Sequence, residues 1–136
     1  MIVVAWGKAG QGSRVAMLAG MILCAALLAG CGANGGTPRE VDVIARGMTF
    51  VLPTAPDTPN PVIPLRAGER VRLVLKNEAP GLLHDIRIPA WGIEVEQIRA
   101  GQIAEVVFTV PGTVGRFQYL CRPHSELMKG FVEVTR

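Results

Sequence analysis

From Val41 onward the chain is a succession of short β-prone runs separated by turn pairs, and this cadence constrains its fold more than any other feature. Residues 41–46 alternate as Val-Asp-Val-Ile-Ala-Arg, and residues 48–52 continue in β-prone types. Residues 70–76 set Val71, Leu73 and Leu75 against Arg70, Arg72 and Lys76. Further runs follow at residues 82–88, 93–98, 104–110, 115–120 and 131–135. Ala67-Gly68, Pro80-Gly81, Ala100-Gly101 and Pro111-Gly112 punctuate them. A period of two buries one face of each run. Many short strands at this spacing predict an all-β antiparallel sandwich or barrel. No stretch sustains a helical period, apart from one turn expected near residues 124–128. Pro53, Pro56, Pro59, Pro61 and Pro64 predict a loop across the end or edge of the sheet.

The N-terminal part is of another kind. Residues 15–28 are almost wholly apolar, with Lys8 and Arg14 and no acid before them. A basic start, a short apolar stretch and small residues after it describe a secretory signal. The run is shorter than the ~20 residues that cross a bilayer comfortably. Leu28-Ala29-Gly30-Cys31 resembles the lipobox of bacterial lipoproteins, which implies cleavage before Cys31 and acylation of that residue. More than one fatty chain at Cys31 makes for stable anchoring. The expected division is a signal peptide at residues 1–30, the acylated cysteine with a flexible tether at 31–40, and one folded domain at 41–136. The tether is rich in glycine and polar residues. The expected location is the bacterial cell envelope, held to a membrane by the lipid and facing the periplasm or exterior.

Removing the signal changes the charge and the cysteine count. The whole chain is +3, from 14 basic and 11 acidic residues. Without Lys8 and Arg14 the balance is 12 minus 11, or +1. The remaining charges are interspersed, so no nucleic-acid partner is expected. Cys24 leaves with the signal and Cys31 takes lipid, which leaves Cys121 as the one thiol of the folded part. Exported proteins ordinarily pair their cysteines, and a lone thiol in an oxidising compartment is open to oxidation. Holding it as a buried metal thiolate protects it.

The residues around Cys121 fit that reading. Cys121-Arg-Pro-His124-Ser-Glu-Leu-Met128 links two β-prone runs, and His84, the other histidine of the chain, opens a distant run. One thiolate, two imidazoles and one thioether make the ligand set of a blue-copper electron-transfer site. The three-residue step returns His124 toward Cys121, and Pro123 stiffens the turn by fixing a torsion. Met128 stands where a weak axial ligand belongs. His84 is expected from a loop of the opposite sheet, the two loops meeting at one end of a sandwich. Met48, in an early run, reads as a core residue. Zinc suits Cys121, His84 and His124, but the methionine at loop spacing argues for copper. A Cys–His nucleophile pair lacks any recognisable third orienting residue.

The Cys-x-x-His-x-x-x-Met-x-Gly loop, the upstream His84 and the β-rich background resemble the cupredoxins, across residues 41–136. The resemblance implies a Greek-key β-sandwich holding one mononuclear copper through His84, Cys121 and His124, with Met128 axial. It also implies a protein that carries single electrons rather than a catalyst. A redox partner (a cytochrome, oxidase or reductase) is expected to dock near His124, on a face made by Leu82, Leu83, Pro123 and Leu127. The alternative is a periplasmic copper-binding or copper-delivery protein. Asp85 stands where cupredoxins often carry a bracing asparagine, a departure expected to weaken the support of the site or alter its potential. Residues 83–95 also resemble the periplasmic part of cytochrome oxidase subunit II. The binuclear copper centre of that protein needs two bridging cysteines, so the mononuclear site is preferred.

Overall fold

A computed structural model describes residues 36–136. The signal-like segment, Cys24 and Cys31 lie outside the described residues. Nine strands make two sheets: β1 Arg39–Arg46, β2 Thr49–Val51, β3 Ile63–Arg66, β4 Arg70–Asn77, β5 His84–Ile88, β6 Ile93–Ile98, β7 Ile103–Thr109, β8 Gly115–Leu120 and β9 Lys129–Thr135. One sheet runs β2-β1-β4-β7 and the other β3-β9-β8-β5-β6. Short 3-10 turns occupy Pro89–Trp91 and Arg122–His124. Among the described residues no helix is long and apolar enough to cross a membrane.

The alternation read from the sequence is the alternation that packs. Val41, Val43 and Ala45 of β1 and Val71, Leu73 and Leu75 of β4 face inward together, because the two strands run parallel with Val43 beside Leu75. Ile86, Ile88, Tyr119, Val132 and Val134 of the second sheet close the core from the other side. Each valine, leucine or isoleucine removed from water in this way contributes about 1.5–3 kcal/mol. Trp91, from the first 3-10 turn, caps one flank against Phe108 and Phe117, with ring centroids at 6.0 and 5.0 Å.

Three features depart from the sequence reading. β3 falls inside what reads as the tail of the proline loop; it pairs with β9 as an edge strand, the place where a proline such as Pro64 is tolerated. Met48 is exposed in the β1–β2 turn, not a core residue. The short helical turn begins at Arg122, ahead of residues 124–128.

The remainder of the proline loop is tied down. Asn60, at φ 47°, accepts the Phe50 N–H through Oδ1 at 3.0 Å and donates from Nδ2 to the Leu127 carbonyl at 2.9 Å. Asparagine is among the few residues with a side chain that enter this left-handed region readily. The Tyr119 hydroxyl donates to the Pro61 carbonyl at 2.6 Å, and its ring meets Phe50 edge-on at 5.7 Å.

Candidate metal centre

Cys121 follows the last residue of β8, and Lys129 opens β9 opposite Leu120. The eight residues from Cys121 to Met128 are therefore the tip of a hairpin. Its backbone closes on itself: the Cys121 N–H donates to the Met128 carbonyl at 2.9 Å, and the His124 N–H to the Cys121 carbonyl at 3.2 Å. The Leu127 and Met128 N–H groups both donate to the His124 carbonyl, at 3.0 and 2.9 Å. These bonds fold the imidazole of His124 back over the sulfur of Cys121. Asn60 holds the outer side of the same loop at Leu127.

Gly130 shows why the loop must be followed by a residue without a side chain. It lies opposite Tyr119 across the β8–β9 pair, and a Cβ at this position would run into the Tyr119 ring and hydroxyl.

His84 arrives differently from the expectation. It opens β5, which neighbours β8 in the same sheet, so all three candidate ligands come from one sheet rather than two. The turn before it is set by Asn77, which is buried at the end of β4. Asn77 Nδ2 donates to the Leu82 and Ile98 carbonyls at 2.9 and 3.0 Å, and its Oδ1 accepts the Ala79 N–H at 2.8 Å.

The sulfur of Cys121 lies 3.6 Å from His84 Nδ1 and 3.6 Å from His124 Nδ1. The ligand atoms of all three residues fall within 4.8 Å of one another. The two imidazoles are tilted by 54° with centroids 4.9 Å apart. Separations of this size suit donors sharing one ion at bond lengths of about 2.0–2.3 Å. His84 and Cys121 are fully buried and His124 is half-buried. Met128 is fully buried beside them in the chain.

The electrostatics match a cation. Burial pushes the Cys121 thiol up to about 11, against the backbone N–H groups of Asp85 and His124, which favour the thiolate. A thiolate there is disfavoured by burial, and a metal ion held by the three residues would supply the missing counter-charge. Burial first, and the neighbouring His124 second, hold His84 below the ordinary imidazole range. A neutral ring is what a metal ligand needs. The Nε2 of His84 is buried without a hydrogen bond of ordinary geometry, although the Gly47 backbone lies close enough to favour the protonated ring. A His–Cys–His set of this kind, in a trigonal arrangement, is the donor chemistry of mononuclear copper.

Asp85, the departure from asparagine, is itself bonded to both ligand segments' surroundings. Its carboxylate is fully buried, and Oδ1 accepts the Arg122 backbone N–H at 2.6 Å. Oδ2 accepts from Arg87 Nε at 3.1 Å and stands 3.9 Å from Arg122 Nε. Arg87 in turn pairs with Glu94.

The sequence reading missed Asn60 and Asn77, whose side chains position the two ligand-bearing loops. The one available signal was an asparagine at the close of each preceding run or loop.

No protein-family model matches the chain, and no curated protein matches it. Solved structures do. Auracyanin B is 22% identical, with 74% of this chain and 91% of that one covered at a TM-score of 0.58. Auracyanin A, a "blue" copper protein from Chloroflexus aurantiacus, is 19% identical over 73% of this chain and 100% of that one, at a TM-score of 0.54. The periplasmic domain of cytochrome oxidase subunit II from Bradyrhizobium japonicum is 14% identical over 72% and 84%, at 0.53. Likeness at such identities is likeness of fold, and the fold this chain shares with them is that of the cupredoxins.

Proposed function

We propose that the protein is a type 1 copper protein that carries single electrons between redox partners in the cell envelope. The observation that carries this reading is the buried Cys121 sulfur, 3.6 Å from the Nδ1 atoms of both His84 and His124. Copper bound there would supply the Cu(I)/Cu(II) couple. The protein's own residues hold the donors in one arrangement: the loop bonds from Cys121 to Met128, the Asn77 and Asn60 clamps, and Asp85 between the two ligand segments. Donors fixed in this way need little rearrangement when the charge of the ion changes. Met128, buried at the loop's end, would add a weak thioether bond to copper held by the other three residues.

The rest of the proposal concerns place and partner. Cys31 is the proposed lipid attachment point, residues 31–40 the tether and 41–136 the copper-carrying domain, which places the protein at a membrane facing the periplasm or exterior. A cytochrome, oxidase or reductase would dock at the rim of His124. Leu83, Pro123 and Leu127 are exposed there and Leu82 half-buried, an apolar face of the kind partners use. The role is that of a carrier, not a catalyst.

The test is direct. Protein loaded with Cu(II) should show an intense visible thiolate-to-copper charge-transfer band and cycle reversibly without losing metal. Absence of the band in wild type, or its survival in Cys121→Ser, would sink the assignment. Rapid handover of copper to an apo acceptor, with no stable redox cycle, would mark a delivery protein instead.

A further inference from the structure

The metal cluster and the start of β1 lie at opposite ends of the sandwich. β1 runs from Arg39 to Arg46, in register beside β4, and the turn after it brings Gly47 to His84. Eight residues of strand span about 23 Å at roughly 3.3 Å per step. The chain preceding β1 is therefore joined at the end remote from the cluster.

That remote end is rich in arginine. Arg39 opens β1 and Arg70 opens β4, where Val71 lies beside Arg39. Arg66 ends β3 opposite Thr135, and Arg136 follows Thr135. Arg116 is the second residue of β8, opposite Glu133. All five are exposed. Glu69 holds Arg39 and Glu133 holds Arg116. Among the described residues, no side-chain carboxylate forms an ion pair with Arg66, Arg70 or Arg136. Near the cluster Arg46 and Lys129 are paired with Glu78 and Glu126, which leaves Arg99, next to Ile98, as a single exposed arginine without an ion pair beside the three at the remote end. A groove of about 510 Å³ opens at the arginine-rich end, lined by Arg39, Pro64, Leu65, Arg66, Glu69 and Thr135. Guanidinium groups bind phosphate through paired N–H donors; Arg39 is already held by Glu69 and the Pro64 carbonyl, so Arg66, Arg70 and Arg136 are the groups left to meet headgroups.

We propose that this arginine-rich end docks on a membrane surface bearing anionic phospholipid headgroups, and so holds the metal-bearing end away from the bilayer, open to a partner. The proposal rests on the anchoring reading for Cys31, which sets the chain near such a surface. The lipid limits distance, and the arginines fix which end faces it. Attraction of this kind acts within a Debye length and weakens with salt.

The experiment uses the full chain purified from expressing cells. It is mixed with vesicles of pure phosphatidylcholine, or of phosphatidylcholine with about 30% phosphatidylglycerol as the anionic component. Flotation reports binding, and phenylglyoxal modification read by mass spectrometry reports each arginine. On anionic vesicles at low salt, modification of Arg66, Arg70 and Arg136 should fall at least about threefold against pure phosphatidylcholine, and recover at ~0.5 M salt. Arg46 and Arg122, toward the cluster, should be unchanged. The triple variant Arg66→Glu, Arg70→Glu, Arg136→Glu should still float but lose protection at Arg39. Equal modification on both vesicles, or protection of Arg46 and Arg122 instead, would overturn the proposal with the anchor intact. Failure to float with phosphatidylcholine would instead remove the anchor. Flotation with anionic vesicles then reads the arginines alone: salt-sensitive binding lost in the triple variant supports the proposal, and no binding overturns it.

Discussion

Asp85 Oδ1 accepts the backbone N–H of Arg122 at 2.6 Å, tying the strand that begins with His84 to the loop that begins with Cys121. The bond spans the two ligand segments without touching either ligand ring. Replacing the carboxylate separates its two contributions. Asp85→Asn keeps an acceptor for Arg122 but removes a buried negative charge. The reduction potential should rise, on the order of tens of millivolts, because the less positive Cu(I) state gains most from losing a nearby anion. Asp85→Ala also leaves the Arg122 N–H without its acceptor and Arg87 with Glu94 alone, and should destabilise the fold by about 1–3 kcal/mol. Voltammetry of the copper form and urea unfolding of the apo form read the two effects apart.

Gly130 and Tyr119 leave each other no slack. Gly130→Ala should cost about 1–3 kcal/mol through overpacking, seen as a lower urea midpoint. Tyr119→Phe leaves the Pro61 carbonyl without its donor and should cost about 1–2 kcal/mol. An unaltered midpoint in both variants would mean that the β8–β9 pair is looser than described.

Metal binding to a folded site stabilises the fold by mass action, by about 4 kcal/mol when free metal stands at a thousand times its dissociation constant. Copper should therefore raise the melting temperature of the wild type. Cys121→Ser and His84→Ala should lose most of that rise while keeping most of their apo stability. Calorimetry with and without a copper chelator checks this.

Acid should weaken the Arg39–Glu69 clasp. The hydrogen bonds from Arg39 are the chief cause holding the Glu69 carboxyl below its ordinary value, with the Arg66 N–H assisting. A lowered carboxylate pKa contributes stability that is complete above the unfolded value and is lost as pH falls through the folded one. Arg39 is about half exposed, so the contribution is held to roughly 0.5–1 kcal/mol. The stability gap between wild type and Glu69→Gln should be present at neutral pH and close below the ordinary glutamate range. A gap that stays constant through acid would assign the effect to packing.

Leu83 and Leu127 are 42% and 60% exposed on the segments that carry the ligands. Leu127→Asp or Leu83→Asp should slow electron transfer to a physiological partner severalfold and leave the visible spectrum nearly unchanged. Loss of colour with normal transfer rates would contradict a docking role.

The strand cadence and the Cys121–His124 pair were legible in the sequence because each rests on short-range pattern, whereas His84 was legible only as the other histidine of the chain. Period two marks a pleated face, and Cys121 and His124 share one loop. What escaped rests on long-range bonding. Asn60 reaches Leu127, and Asn77 reaches Ile98, across distances that no local pattern records. β3 escaped because it is four residues long and carries Pro64. Asp85 was visible as a departure from asparagine, but the partners that hold it, Arg87 and the Arg122 backbone, converge on it only in the fold.

The eight-residue tip between Leu120 and Lys129 begins and ends on directly facing residues of one hairpin. The ladder that flanks the tip is therefore independent of the tip's length, and what ties the tip to the sandwich is two bonds, Asp85 to the Arg122 N–H and Asn60 to the Leu127 carbonyl. Changes between those two bonds, at residues 123–126, are the ones the sandwich beneath would feel least.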